Sequence, residues 1–166
     1  MKIGQDVFIH QGILDGQIEQ LIEYSQNDSG VKKFTSDALR FANRKSFHNW
    51  QEKGRIIYTL SDSQKNLLGI IWFGQKEAPL KDIKANFTFA IRIYASARGR
   101  GLSSEFMEIV FKDLFKNQTE SKITGLWLQV SSDNLAAVHS YQKAGFKTAA
   151  NLGYDNKIIM VLKKQL

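Results

Sequence analysis

The stretch with the clearest chemical potential is Ala97-Arg98-Gly99-Arg100-Gly101-Leu102-Ser103-Ser104. It joins an alternating run, Phe87 to Tyr94, that predicts a strand to a run from Leu102 to Phe115 that predicts a helix. A glycine-rich turn at such a junction suits a phosphate. Glycine lets backbone N–H groups come close to a ligand because no Cβ intervenes. The first N–H groups of a helix have no partner inside it, and the helix dipole adds partial positive charge there. Arg98 and Arg100 add two permanent charges suited to phosphate oxygens. Read alone, the same residues also describe an ordinary basic turn before a surface helix. Two sharper phosphate motifs are excluded. There is no Gly-x-x-x-x-Gly-Lys-Ser/Thr pattern. The dinucleotide fingerprint needs glycine where Ser104 stands, and Glu120, at about the right distance for its acidic residue, falls in a polar loop from Lys116 to Lys122.

The second informative stretch runs from Leu128 to Phe146. Asn134 stands at a predicted strand-to-helix junction. Tyr141 follows about two helical turns later on the same side. Gly145-Phe146 ends that helix and turns back into a strand.

This Asn-x6-Tyr-x3-Gly-Phe pattern, after Arg-x-x-Gly-x-Ser at Arg98, Gly101 and Ser103, resembles the GCN5-related N-acetyltransferase superfamily. The likeness is strongest from Leu67 onward. The family's pyrophosphate motif, Gln/Arg-x-x-Gly-x-Gly/Ala, is met except that Ser103 replaces the last small residue. The resemblance implies an acetyl-CoA site. Backbone groups of Ile91, Arg92 and Ile93 would pair with the pantetheine arm, the stretch Gly99, Arg100, Gly101, Leu102, Ser103 and Ser104 would hold the pyrophosphate, and Asn134 would contact the arm. It also implies acetyl transfer from the thioester to a primary amine, with Tyr141 as the general acid that protonates the leaving thiolate. A phenol titrates near ~10 and so carries a proton to give. The other reading of Tyr141 is a tyrosine that only packs the core or the cofactor. A strand N–H can stabilise the oxyanion.

No base is assigned. Some protein-acetylating members carry a Glu on the strand before Asn134, but here Gln129 holds that place and cannot take a proton. His48, Glu77 and Asp82, or a water chain, are the candidates, and His139 is expected in solvent.

The elements that must position these residues follow from periodicity. Asp6 to Ile13 reads as a strand, and Asp15 onward as a helix stopped at Gln26-Asn27-Asp28-Ser29-Gly30. Phe34 to Lys53 reads as helical, in one or two pieces. Arg55 to Leu60 and Leu67 to Phe73 read as a hairpin. After the helix from Leu102 come a strand from Lys122 to Val130, a helix from Leu135 to Lys143, and strands Lys147 to Leu152 and Lys157 to Leu162 around the turn Gly153-Tyr154-Asp155-Asn156. The order β-α-α-β-β-β-α-β-α-β-β predicts a mixed α+β fold. Taken with the resemblance, it is a mostly antiparallel sheet of about seven strands flanked by helices, with residues 1–166 as a single acetyltransferase-like domain.

Composition limits the alternatives. The chain has no cysteine, which removes disulfides, thiolate metal sites and a cysteine nucleophile. Three separated histidines make a metal site improbable. No apolar run is long enough to span a membrane, no signal-peptide core opens the chain, and a cytoplasmic protein is the expectation. The net charge of +7 favours anionic partners, but the basic residues are spread out, so a dedicated nucleic-acid surface is the weaker reading. The same charge favours an acidic or neutral amine acceptor over a polyamine. Trp50, Trp72 and Trp127 are candidates for an aromatic pocket or for core. The alternatives to an acetyltransferase are a catalytically silent acyl-CoA-binding domain, a basic nucleic-acid-binding module, or the same fold with a longer acyl-CoA or aminoacyl-tRNA as donor. Superfamily members are often dimers, and the resemblance extends the expectation of a homodimer to this chain.

Overall fold

The alternation at Phe87, Phe89, Ile91 and Ile93 becomes a strand in the computed structural model, which describes residues 1–3, 6–117, 123–153 and 156–164. Glu120, most of the Lys116–Lys122 loop, and Tyr154 and Asp155 of the closing turn lie outside the described residues. Among those described there are eight strands and six α-helices. In chain order they are β1 (Lys2–Ile3), β2 (Val7–Gln11), α1 (Asp15–Asn27), α2 (Ser29–Phe34), α3 (Asp37–Arg40), α4 (Arg44–Gln51), β3 (Ile56–Asp62), β4 (Leu67–Gln75), β5 (Phe87–Ile93), α5 (Leu102–Asn117), β6 (Gly125–Ser131), α6 (Leu135–Lys143), β7 (Lys147–Asn151) and β8 (Lys157–Lys163). The sheet order is β1-β2-β3-β4-β5-β6-β8-β7. Pairing is antiparallel for β1 with β2, β2 with β3, β6 with β8 and β7 with β8, and parallel for β5 with β6. This is the mixed, mostly antiparallel α+β architecture of the sequence reading, with the two-residue β1 as an eighth strand.

The region expected as one or two helices between Phe34 and Lys53 is more finely cut. Short polar side chains bond to nearby backbone and compete with helix propagation there. The Asp28 carboxylate accepts the N–H groups of Gly30 and Val31 and starts α2, so the segment read as a stop is also a start. Thr35 Oγ1 accepts from the Asp37 N–H before α3. Asn43 Oδ1 accepts from the Ser46 N–H and starts α4.

The chain divides into two compact units. The first comprises Met1–Trp72 and Ile91–Phe106. Its core gathers Phe41, Phe47, Trp50 and Trp72, with Phe41 and Trp72 each edge-on to Trp50 at 5.0 and 5.5 Å. The second comprises Phe73–Ala90 and Met107–Leu166. Its core gathers Phe89, Phe111 and Phe146, the last two 5.1 and 5.5 Å from Phe89. Helix α5 buries Phe106, Met107, Val110, Phe111 and Leu114, the stripe that its four-residue spacing predicts. Among the described residues no helix is long and apolar enough to cross a membrane.

Candidate functional site

The first unit carries the cradle. After β5, residues Ala95–Ala97 make one 3₁₀ turn, and the N–H groups of Ala97 and Arg98 both donate to the Tyr94 carbonyl, at 2.9 and 3.1 Å. Gly99 and Gly101 then take φ of +75° and +72°, which L-residues rarely adopt. A Cβ built on either would meet nothing within 4 Å, so the turn opens onto free space. Helix α5 begins at Leu102, which makes the N–H groups of Leu102, Ser103 and Ser104 the unpartnered donors of its first turn. Two glycines at positive φ and a helix start, open on their outer side, offer backbone N–H groups to an anion.

The two arginines of the cradle are not equivalent. Arg100 is exposed, and among the described residues its guanidinium makes no hydrogen bond or ion pair. Its charge is felt at Asp62. Burial pushes that carboxyl up, but hydrogen bonds from Asn66 and Gln64, together with Arg100, bring it below the usual carboxylate range. Arg98 turns away to Asp28, with Nη2 at 2.8 Å from both carboxylate oxygens. Its guanidinium lies against Gly30, where a Cβ would come within 2.9 Å of Nη1. Burial raises the Asp28 carboxyl, and this is outweighed by the Arg98 hydrogen bond and charge and by the Val31 and Gly30 N–H groups, so its pKa is lowered. Arg98 is therefore a tie between the cradle and the start of α2.

Ile91, Arg92 and Ile93 close β5 and are half-buried. The parallel ladder of β5 with β6 contains two pairs, Phe87↔Leu126 and Thr88↔Trp127. Arg92 reaches the buried Asp37, with Nε at 2.6 Å from one oxygen and Nη2 at 3.2 Å from the other, while Nη1 donates to the Ile91 carbonyl at 2.8 Å. Arg40 bonds the same Asp37 carboxylate.

Asn134 and Tyr141 lie in the second unit. Asn134 Oδ1 accepts the Ala137 N–H at 3.3 Å and caps α6, which its position at the end of Ser131-Ser132-Asp133-Asn134 allows. Its amide NH₂ points no donor at any described protein group. Tyr141 is buried, its ring packed by Phe89 and Phe146, each 5.9 Å away. Gly145 ends α6 at φ +93°. His48, Glu77, Asp82, His139 and Gln129 are all exposed. Trp50, Trp72 and Trp127 are buried, and Trp127 Nε1 donates to the Lys76 carbonyl at 2.8 Å. No group of three or more His, Cys, Asp or Glu that could hold a metal occurs among the described residues.

Sequence reasoning missed Asp28, Gly30 and Asp37. Asp28 and Arg98 are 70 residues apart, and Asp37 and Arg92 are 55 apart, so no local spacing joins them.

A family model described as "Acetyltransferase (GNAT) domain" matches residues 13–147. Among solved structures the chain is similar to spermidine N-acetyltransferase from Vibrio cholerae in complex with CoA and spermine, at 16% identity over 93% of this chain and 92% of that one, with a TM-score of 0.70. It is similar to aminoglycoside acetyltransferase AAC(6')-Ib in complex with coenzyme A, at 17% identity over 96% and 95%, with a TM-score of 0.70. A domain from Methanocaldococcus jannaschii gives 17% identity over 96% and 99%, with a TM-score of 0.70. No curated protein matches the chain.

Proposed function

The chain belongs to the GNAT acetyltransferase family, and from that premise we propose that it moves an acetyl group from acetyl-CoA to a primary amine of a small molecule, peptide or protein. The observation that carries the donor half is the cradle: two glycines at positive φ, open on their outer side, directly before the first turn of α5.

Acetyl-CoA supplies an activated thioester. The chain's own residues do the rest. Backbone N–H groups from Gly99 to Ser104 bind the pyrophosphate, and the exposed Arg100 neutralises part of its charge. Arg98, tied to Asp28, fixes the entry to the cradle. Backbone groups of Ile91, Arg92 and Ile93 orient the pantetheine arm, and a strand N–H receives the developing oxyanion. The Asn134 amide, whose oxygen is committed to the α6 cap, offers its NH₂ to the arm. Tyr141, seated between Phe89 and Phe146, gives its phenolic proton to the leaving thiolate. The exposed His48, Glu77 and Asp82 offer no enclosed base, so the amine loses its proton to solvent or a water chain.

Thermal unfolding with acetyl-CoA tests the donor site. A ligand at about a hundred times its Kd adds roughly 2.7 kcal/mol, which raises Tm by roughly 5–11 °C at about 2–4 °C per kcal/mol. Arg100→Ala should shrink the rise. An unchanged Tm at saturating acetyl-CoA sinks the reading. Transfer to a panel of amines then separates an enzyme from a silent acyl-CoA-binding domain. In an enzyme Tyr141→Phe lowers kcat by about 10²–10⁴-fold.

A further inference from the structure

Three arginines gather on the faces of two buried tryptophans. Arg92 lies over Trp72 with its guanidinium carbon 4.8 Å from the ring centre, Arg40 lies over the same ring at 5.7 Å, and Arg55 lies over Trp50 at 5.9 Å. Trp50 and Trp72 are in edge contact, so the three cations lie over two adjoining rings. Among the described residues Arg40 has one carboxylate partner, Asp37, which also bonds Arg92, and Arg55 has none. The Arg55 guanidinium makes no hydrogen bond among the described residues, and its Nε is buried without a partner. Burial and the nearby charge of Arg40 both push the Arg55 pKa down.

Packing α3 against β5 requires one arginine for one carboxylate. The Arg55 Nε is withdrawn from water with no partner among the described residues, which is costly, and an anion from outside would supply one. The cluster also adjoins the strand end assigned to the donor arm. Arg92 belongs to the three residues whose backbone is assigned to the donor arm, and Arg40 follows Leu39, which is 82% exposed on a four-residue helix.

We propose that Arg40 and Arg55, seated on Trp72 and Trp50 beside the Asp37-anchored Arg92, bind a carboxylate or phosphate carried by the acceptor. The acceptor is then an anionic amine and not a polyamine. This rests on the acetyltransferase reading above and names the substrate class of that same site. A ring face attracts a guanidinium placed over it, and a guanidinium carries paired N–H donors that fit a carboxylate or phosphate.

The test compares matched acceptors: an amino acid with its amide, phosphoethanolamine with ethanolamine, and spermidine. The first two pairs distinguish a carboxylate from a phosphate as the recognised group. A charge-assisted hydrogen bond corresponds to roughly a ten- to hundredfold preference. The kcat/KM of the anionic member of at least one pair should exceed that of its neutral partner by this factor, with spermidine below both. Arg55→Gln or Arg40→Gln should bring the ratio towards one, and Arg55→Lys, which keeps the charge, should retain part of it. Trp50 and Trp72 give a readout without turnover. Their fluorescence should respond to the preferred anionic amine in the parent protein and not in Arg55→Gln. Equal or reversed preference overturns the proposal, as does a preference that survives both glutamine variants. If no amine is acetylated but the fluorescence response to the anionic amine persists, the transferase reading fails and the anion site stands. Loss of both overturns both.

Discussion

Asp28→Asn isolates the tie that holds the cradle. The Asp28 carboxylate caps α2 through Gly30 and Val31 and receives Arg98 Nη2 on both oxygens at 2.8 Å. Asparagine caps a helix about as well as aspartate, so the substitution removes the charge and leaves the helix start. The Asp28 side chain is 6% exposed and that of Arg98 is 40% exposed. Exposed pairs contribute about 0.2–1 kcal/mol, and breaking a fully buried pair costs about 3–5 kcal/mol. With one partner enclosed and the other screened by water, the expected loss is about 1–2 kcal/mol. That is about 2–8 °C in Tm for a chain of this size.

The pH dependence has a definite sign. The folded Asp28 carboxyl titrates below its unfolded value, which lies near ~3.9. Its stabilisation is complete above that value and is lost as pH falls through the lower folded pKa. Asp28→Asn should therefore flatten the acid limb of a Tm–pH curve and lower the neutral region uniformly. The decisive assay is a double-mutant cycle of Asp28→Asn with Arg98→Gln, followed by thermal unfolding with and without acetyl-CoA. A tie predicts a coupling of about 1 kcal/mol or more, and either single change should weaken the acetyl-CoA shift as much as both together. Additivity within about 0.3–0.5 kcal/mol, with the acetyl-CoA shift lost in Arg98→Gln alone, would refute the tie. Arg98 would then be a direct phosphate ligand.

Three further outcomes follow from the same contacts. Gly101→Ala forces a Cβ onto a φ of +72° and should cost about 1–2 kcal/mol of stability, with a larger fractional loss of acetyl-CoA binding measured by calorimetry. Tyr94→Phe should raise Tm. The Tyr94 hydroxyl is fully buried, held protonated by burial, and has no hydrogen-bond partner among the described residues, so removing it relieves a penalty of about 1–3 kcal/mol; a fall in Tm in a thermal melt would show that the hydroxyl is bonded. Asp37→Asn leaves Arg92 and Arg40 without their shared counter-charge and should cost about 3–5 kcal/mol in urea unfolding. A cost below about 1 kcal/mol, the range of exposed pairs, would show that solvent already screens this cluster.

The elements after Leu67 were legible because their signals are local. β5 alternates, α6 has its cap at Asn134 and its glycine stop at Gly145, and the cradle glycines announce their positive φ by residue type. The helical region from Asp28 to Gln51 was less legible. Its breaks depend on Asp28, Thr35 and Asn43, each of which reads equally well as a helix end or a helix start. The choice is made by which backbone N–H the side-chain oxygen reaches, and that is settled by the surrounding packing. β1 was missed because a two-residue strand has no periodicity to show.

The same distinction separates the two halves of the proposed reaction. Donor binding rests mainly on backbone geometry, and backbone geometry is encoded by glycine and cap residues at fixed offsets, so a motif can carry it. Acceptor recognition rests on side chains assembled from separate elements: Arg40 from α3, Arg55 before β3, Arg92 from β5, and the rings of Trp50 and Trp72 beneath them. In the sequence these arginines look like the rest of a diffuse +7 charge. Folding brings Arg40 and Arg92 to one carboxylate and sets Arg55 over the adjoining Trp50 with its Nε unbonded among the described residues, an arrangement visible only there. A chain of this family can therefore keep a readable donor motif while its acceptor preference moves with substitutions that leave the motif untouched. The preference measured across matched anionic and neutral amines should track Arg40 and Arg55 and be insensitive to the spacing of Arg98, Gly101 and Ser103.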